Sequence, residues 1–404
     1  MFKCTGNCAE CPRKDKCITY RKKIQGVTSG FQRNFTKNPL IADGFGLAVD
    51  LGTTTAAGYL YEFPACECVD TVCIPNPQAQ FGADVISRIE YSNANGVEPL
   101  KSAAWEVIDR ITELFGKPVK TCVITGNTVM LHFLTGLDTR SIAVAPFTPQ
   151  SLFGEYVCRD GRPRPSAQRK RNPTDDRGGR PYYLPHCISS YVGADITCGI
   201  LASGMMEDKC SFLVDIGTNG EMALWNKGKL VCCATAAGPA FERGMGASGT
   251  ELVDALAQML EQGIVDETGY LEENYKIGDS GTVITGEDVR QLQLAKAAIR
   301  AGIETLLHEC NVSYGAIGKF YIAGSFGSNL NKMSCAKIGL IPTGVLDKVV
   351  ILGNAAGMGA SMILQSSECL AESERIASLA ETVELSANAY FMEQYINNMM
   401  FGGK

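Results

Sequence analysis

Two short stretches set an acidic side chain at the same spacing from a glycine and a hydroxyl: Asp50-Leu51-Gly52-Thr53-Thr54-Thr55 and Asp215-Ile216-Gly217-Thr218-Asn219. Glycine lets the backbone turn tightly and approach a ligand with no Cβ in the way. The amides and hydroxyls that follow then converge on one spot and form a nest for an anion. A carboxylate beside a polyphosphate would repel it directly, so the role that fits Asp50 is to hold Mg²⁺ through the ion's water shell. By the same logic Asp215 belongs near a terminal phosphate, orienting water or metal. One Gly-Thr turn is common in hairpins and says little. Two in matched contexts imply a pair of loops gripping one phosphate chain, with Gly52, Thr53, Thr54 and Thr55 in the first and Gly217, Thr218 and Asn219 in the second.

A second kind of chemistry sits at the start of the chain. Cys4, Cys8, Cys11 and Cys17 form a C-x₃-C-x₂-C-x₅-C run among basic neighbours, Lys3, Arg13, Lys14 and Lys16. Four closely spaced thiolates suit a [4Fe–4S] cluster or a tetrahedral Zn²⁺, and the basic side chains would offset a cluster's negative charge. The spacing is neither the bacterial nor the plant ferredoxin run, so both metals stay open. The chain has 17 cysteines, an odd number with no secretion signal, which argues against a disulfide framework. Most of the others, such as Cys122, Cys198, Cys232 and Cys310, lie in apolar runs and read as small buried hydrophobes. Cys66, Cys68 and Cys73 fall on or beside a hairpin and read as strand residues. His132, His186 and His308 are each isolated among apolar residues and read as structural.

Each acidic turn needs a rigid element to present it, and the pattern around both is the same. Residues 48–60 and 213–225 each read as an apolar strand, a polar turn and a returning apolar strand. Later in each half comes a matching strand that ends in glycine, Cys122-Val123-Ile124-Thr125-Gly126-Asn127 and Phe320-Tyr321-Ile322-Ala323-Gly324-Ser325. Two copies at long period are an internal duplication rather than a solenoid. Helices are predicted over 102–114, 249–261 and 286–310, the last with Thr285 as N-cap and Asp288 three residues on. Segment 1–23 is cysteine-rich and needs a metal or a partner to order it, and 24–44 reads as a linker. Residues 45–204 and 205–365 form two lobes of an α/β fold, each on a mixed five-stranded sheet, and 366–404 is a strand-helix tail packing on that body. Residues 159–180 form a basic, Pro- and Gly-rich insertion, read as a solvated loop, with a docking arm as the sharper alternative. A net charge of −6 argues against nucleic acid or anionic membrane as a partner, and no apolar run is long enough to span a bilayer. The chain reads as cytoplasmic.

The five motifs resemble, in order, those of the superfamily of acetate and sugar kinases, large heat-shock chaperones and actin, over roughly residues 46–359. The resemblance implies a two-lobed actin-like ATPase fold with duplicated mixed sheets, extended here by the short cysteine-rich metal segment, with ATP and Mg²⁺ between the lobes. The acidic turns match its phosphate loops, and Ile322-Ala323-Gly324-Ser325-Phe326-Gly327 matches its adenosine motif, which places Gly324, Ser325 and Phe326 against the nucleotide. Gly126-Asn127-Thr128-Val129-Met130 and residues 353–360 match its connecting helices. Gly238, Pro239 and Glu242 either line the ribose or γ-phosphate side or belong to an ordinary turn before a helix.

Longer stretches are similar to a narrower family, the ATP-dependent reductive activators of corrinoid proteins. They are Asn76-Pro77-Gln78-Ala79-Gln80-Phe81-Gly82-Ala83-Asp84-Val85-Ile86-Ser87-Arg88-Ile89, Tyr191-Val192-Gly193-Ala194-Asp195-Ile196, residues 238–242 and residues 293–302. The resemblance implies return of an inactive Co(II) corrinoid protein to Co(I) in a methyltransferase system, with ATP driving a conformational change coupled to low-potential electron transfer. Asp84 and Arg88 are expected in the cleft, at the partner surface or in a surface ion pair, and Asp195 in the cleft or as an N-cap. Family members carry a ferredoxin module that the cysteine run does not match. The electrons therefore come through a reduced relay or from a separate ferredoxin. A small-molecule kinase with a zinc knuckle and an actin- or chaperone-like assembly protein are the competing readings. The oligomeric state is left open, a homodimer included.

Overall fold

The computed structural model describes residues 33–164, 179–241, 249–278, 282–324 and 330–402. Cys4, Cys8, Cys11, Cys17, Glu242, Ser325 and Phe326 lie outside the described residues. The chain divides into two compact units, one taking Asn34–Ala202 with Ala356–Ser378, the other Ser203–Ala355 with the residues from Leu379 onward.

The first unit is built on β1 (Gly44–Leu51), β2 (Thr55–Phe63), β3 (Glu67–Pro75), β4 (Val119–Thr125), β5 (Glu155–Val157) and β6 (Tyr182–Leu184). Their order is β3-β2-β1-β4-β6-β5, antiparallel through β3, β2 and β1 and parallel across β1, β4 and β6. The inner strands are apolar on both faces: Leu47, Ala48, Val49, Cys122, Val123 and Ile124 are all fully buried. Strands covered on both sides read as continuous apolar runs. Helices α1 (Val85–Asn95), α2 (Glu98–Phe115), α3 (Thr128–Thr135) and α4 (Ala194–Ser203) belong to the same unit. Helix α2 buries Leu100, Ala104, Val107, Ile108, Ile111 and Phe115, a 3.6-residue stripe. It begins a turn before the predicted start because Pro99 stands in the first turn, where its missing N–H costs nothing.

The second unit repeats the plan with β7 (Cys210–Ile216), β8 (Asn219–Asn226), β9 (Lys229–Ala236), β12 (Lys319–Ala323), β13 (Val349–Gly353) and β14 (Ala380–Thr382). The small hairpin β10 (Tyr275–Ile277) and β11 (Thr282–Ile284) stands apart. The order β13-β12-β7-β8-β9-β14 superposes in topology on β6-β4-β1-β2-β3. Five strands are thus the duplicated core, and the expected five become six in each sheet. The sixth is a three-residue edge strand placed differently, β5 beside β6 and β14 parallel to β9. Strands that short carry no periodicity to read.

Helix α5 (Gly249–Glu261) matches its predicted span, and α6 (Gly286–Glu309) carries the expected capping box between Thr285 and Asp288. Helices α7 (Ala355–Gln365) and α8 (Ser367–Leu379) return the chain to the first unit, and α9 (Ala389–Asn397) packs on α6 in the second. Lys296 of α6 is 1% exposed and donates to the Met400 carbonyl, tying down the chain after α9. Of the basic insertion, residues 165–178 lie outside the described residues. Arg159 and Arg162 at its start pair with Asp109 and Asp160.

Candidate nucleotide site

In the first unit the parallel strands β1 and β4 end side by side, with Asp50 in register with Thr125. Ligand sites in α/β sheets form at such carboxyl ends. Gly126, the residue after β4, lies so close to the Asp50 loop that a Cβ there would sit 2.7 Å from the Leu51 carbonyl oxygen. The loop itself is held from behind. Asn76, after β3, donates through Nδ2 to the Gly52 carbonyl and through its backbone N–H to the Thr54 carbonyl, both at 2.8 Å. Arg88 Nη2 donates to the Thr53 carbonyl at 2.7 Å. Three successive carbonyls are therefore held by Asn76 and Arg88. In a trans peptide each N–H points opposite to the carbonyl before it, so the amides of Thr53, Thr54 and Thr55 each point away from the group that holds the preceding carbonyl.

The second unit uses the same geometry. Asp215, the penultimate residue of β7, is in register with Ala323 of β12, and Gly324 follows at a φ of +106°. A Cβ on Gly324 would stand 2.3 Å from the Ile216 carbonyl oxygen and 2.9 Å from Asp215 Oδ1. Leu51 and Ile216 are equivalent residues, so the duplication reaches the level of single contacts. Gly217 N–H donates to the Asn219 carbonyl, and the Thr218 carbonyl accepts from Gly238 N–H at 2.8 Å, the counterpart of the bond from Arg88 to Thr53. Gly238 has a φ of +77° and leads into a short 3₁₀ turn over Pro239–Phe241. The structure thus gathers Asp50, Gly52, Thr53, Thr54 and Thr55 in one loop of the first unit. It gathers Asp215, Gly217, Thr218, Asn219, Gly238 and Gly324 at one edge of the second.

At Gly52, Gly126 and Gly324 the chain's own backbone leaves no room for a Cβ, so these turns require glycine. At the same edge of the first unit, Thr125 Oγ1 is buried beside the Cys198 thiol with no nitrogen or oxygen partner among the described residues.

A family model of the RACo middle region matches residues 45–208, and one of the C-terminal domain of RACo, the ASKHA domain, matches residues 209–247 and 243–404. The chain belongs to the RACo family. Among its RACo-like relatives is the corrinoid activation enzyme RamQ of Eubacterium limosum, 28% identical over 89% of this chain and 70% of that protein. The [Co(II) methylated amine-specific corrinoid protein] reductase of Methanosarcina barkeri is 23% identical over 80% of this chain and 70% of its own length. The solved structure of a reductive activator for corrinoid, iron-sulfur protein is 32% identical with a TM-score of 0.77. That match covers 89% of this chain and 66% of the other.

Within the RACo fold three sequence expectations need correction, those for Arg88, Asp84 and Cys66. Arg88 is neither at a surface ion pair nor at a partner face: it is fully buried, with Nε donating to the Gly82 carbonyl at 3.0 Å besides the bond to Thr53. Asp84 caps α1, accepting from Ser87 N–H at 2.8 Å in a capping box. Asp195 lies in the first turn of α4, whose start is tied to the end of β4 by Ala194 N–H to the Gly126 carbonyl, 3.1 Å. Its side chain is half-buried, and desolvation raises its carboxyl to about 6 although its own and the Ile196 backbone N–H groups pull it down. His132 is structural: Nδ1 bonds the Thr128 carbonyl at 2.8 Å, Nε2 accepts from Gln150 N–H at 3.1 Å, and burial lowers its pKa. Cys66 is in the turn before β3 with a φ of +54°, whereas Cys68 and Cys73 are β3 residues.

Asn76 and Arg88 have no place in a reading of phosphate loops from sequence alone. The one available signal is the Asn76-Pro77 dipeptide, which marks a turn without saying what the Asn side chain holds.

Proposed function

We propose that this chain is an ATP-dependent reductive activator that returns an inactive Co(II) corrinoid protein to Co(I) in a methyltransferase system. The observation that carries the reading is the RACo match along both units, taken with the activators and the reductase among its relatives. Reduction of Co(II) to Co(I) is uphill from ordinary donors, and Mg²⁺-ATP supplies the free energy. The chain's part is linkage: nucleotide favours one conformation, and the affinity of that conformation for the corrinoid partner is what the nucleotide changes.

Asp50 holds Mg²⁺ through water, and Asp215 orients the attacking water or the metal. The amides and hydroxyls of residues 52–55 and 217–219 hold the phosphates. Gly238, Pro239 and Glu242 line the ribose or γ-phosphate side, and Gly324, Ser325 and Phe326 lie against the adenosine. Support comes from the duplicated glycine contacts, Gly126 on Leu51 and Gly324 on Ile216, which give the two acidic turns the same backbone setting. Cys4, Cys8, Cys11 and Cys17 hold a [4Fe–4S] cluster, with Zn²⁺ the other metal their spacing suits. A separate ferredoxin is the electron donor, and the site of action is the cytoplasm. No helix among the described residues is long and apolar enough to cross a membrane.

The test mixes the full chain with a corrinoid protein poised as Co(II) and a low-potential one-electron donor, with and without Mg²⁺-ATP. Loss of the Co(II) paramagnetic signal should require ATP and should stop in Asp50→Ala and Asp215→Ala. Reduction at the same rate without nucleotide, or ATP-dependent phosphorylation of a sugar instead, refutes the activator reading.

A further inference from the structure

The segment from Asn76 to Arg88 buries three polar side chains, Asn76, Gln78 and Arg88, and nothing in the proposed chemistry uses them. Asn76 is 1% exposed, and Gln78 and Arg88 are fully buried. Burying a guanidinium and two amides in a well-packed unit is costly unless each finds partners. Their partners share a destination. Asn76 takes the carbonyls of Gly52 and Thr54, and Arg88 takes that of Thr53. Asn76 Oδ1 meanwhile accepts from Gln78 N–H at 3.0 Å, which fixes the amide so that Nδ2 faces the loop. Gln78 Nε2 donates to the Leu100 carbonyl at 2.8 Å, anchoring the segment to α2.

We propose that Arg88 and Asn76 are positioning residues for the nucleotide: by holding three consecutive carbonyls of the 52–54 turn, they set the direction of the amides that receive phosphate. This rests on the nucleotide reading above and goes beyond it by assigning a function to a buried segment that never touches the ligand. Left to itself, a Gly-Thr turn can flip a peptide and present a carbonyl oxygen to the phosphate, which would repel it. The charge of Arg88, one hydrogen bond behind the loop, also favours an anion on the loop's other side. Lysine cannot substitute. The guanidinium fork bonds Gly82 and Thr53, 29 residues apart in sequence, from two different nitrogens, whereas an ammonium is one point at the end of a flexible stem.

The second unit offers an internal comparison. There the carbonyl of Thr218, equivalent to Thr53, is held by the backbone of Gly238 rather than by a side chain. Two of the first loop's three bonds, those to Gly52 and Thr53, can therefore be removed by side-chain substitution, whereas the bonds to Thr54 and Thr218 come from backbone.

Two variants of the full chain test this, Arg88→Lys and Asn76→Ser. The second adds no charge, keeps a capping oxygen for Gln78 N–H and removes the amide donor to Gly52 and Gln78, so it carries the test if the first does not fold. Binding of Mg²⁺-ATP is measured by calorimetry, binding of adenosine by ligand-observed NMR, and folding by the melting midpoint. Each variant should lose about tenfold or more in affinity for Mg²⁺-ATP, while its affinity for adenosine stays within about twofold of the parent. Equal losses for both ligands would assign the segment a purely structural role and overturn the proposal, as would ATP affinity within about twofold of the parent in a folded variant. A parent chain that binds no Mg²⁺-ATP overturns the activator reading as well. Parent binding with unchanged variants overturns this inference alone.

Discussion

Asp195 is a carboxyl group that folding does not favour in its charged form. Burial lifts it from its ordinary value to about 6, and the backbone N–H groups of its own first turn offset only part of that. The folded state therefore holds the proton more tightly than the unfolded chain does. Its stability is full below pH 4 and falls as pH rises through 6, by an amount on the order of 3 kcal/mol. Asn at this position carries no charge at any pH. Asp195→Asn should then melt above the parent at pH 8, and the gap should narrow as pH falls and close near pH 4. A variant destabilised at every pH would mean that the carboxylate is held by partners it needs, and desolvation would then not be what governs its titration. Carboxyls kept at such a cost cluster at functional sites. The same substitution is accordingly expected to slow ATP turnover even as it raises the melting midpoint, a trade that a packing residue would not make.

At the level of elements, small residues decide how closely helices approach. A Cβ on Gly359 of α7 would stand 2.1 Å from the Cys198 carbonyl oxygen of α4, and one on Gly357 would meet the Tyr59 ring of β2 at 2.4 Å. Two effects of opposite sign meet in Gly359→Ala. Alanine favours the helix by about 1 kcal/mol. Forcing two backbones apart in a packed core costs about 1–3 kcal/mol. Contact with backbone, which cannot swing aside, puts this case at the upper end, so the variant should melt below the parent. A higher midpoint would show that α7 can shift without loss. The glycines of 353–360 were readable as a motif, but their contact with α4 was not, because residue 198 is far away in sequence. The same limit explains the other gaps. The two hairpins with their matching later strands, the capping box at Thr285 and the acidic turns are local patterns and stood in the sequence. The three-residue strands β5 and β14 have no pattern to read. Arg88 looked like surface because charged residues usually are. Its burial depends on carbonyls contributed by residues 53 and 82 after folding, and no local pattern contains them.

At the scale of the molecule, thiols separate into two populations. Those in the body are buried for the most part, and burial pushes them up: Cys122 and Cys187 to about 12, and Cys232, Cys233 and Cys335 well above their ordinary value. Such thiols stay protonated at neutral pH and make poor metal ligands, since thiolate is the binding form. No group of three or more His, Cys, Asp or Glu side chains among the described residues is placed to hold an ion. Metal retained in stoichiometric amount would therefore report on Cys4, Cys8, Cys11 and Cys17 with little background. Anaerobic reconstitution with iron and sulfide should give a brown protein with broad absorbance near ~400 nm and about four irons per chain. Cys4→Ala with Cys11→Ala should lose that iron while keeping the parent's melting midpoint and Mg²⁺-ATP affinity, because both units fold around apolar cores of their own. Colourless protein with about one zinc per chain would select the tetrahedral site instead. Iron held undiminished by the double variant would remove these cysteines from the electron route altogether, and the chain would then depend on an external donor acting directly on its corrinoid partner.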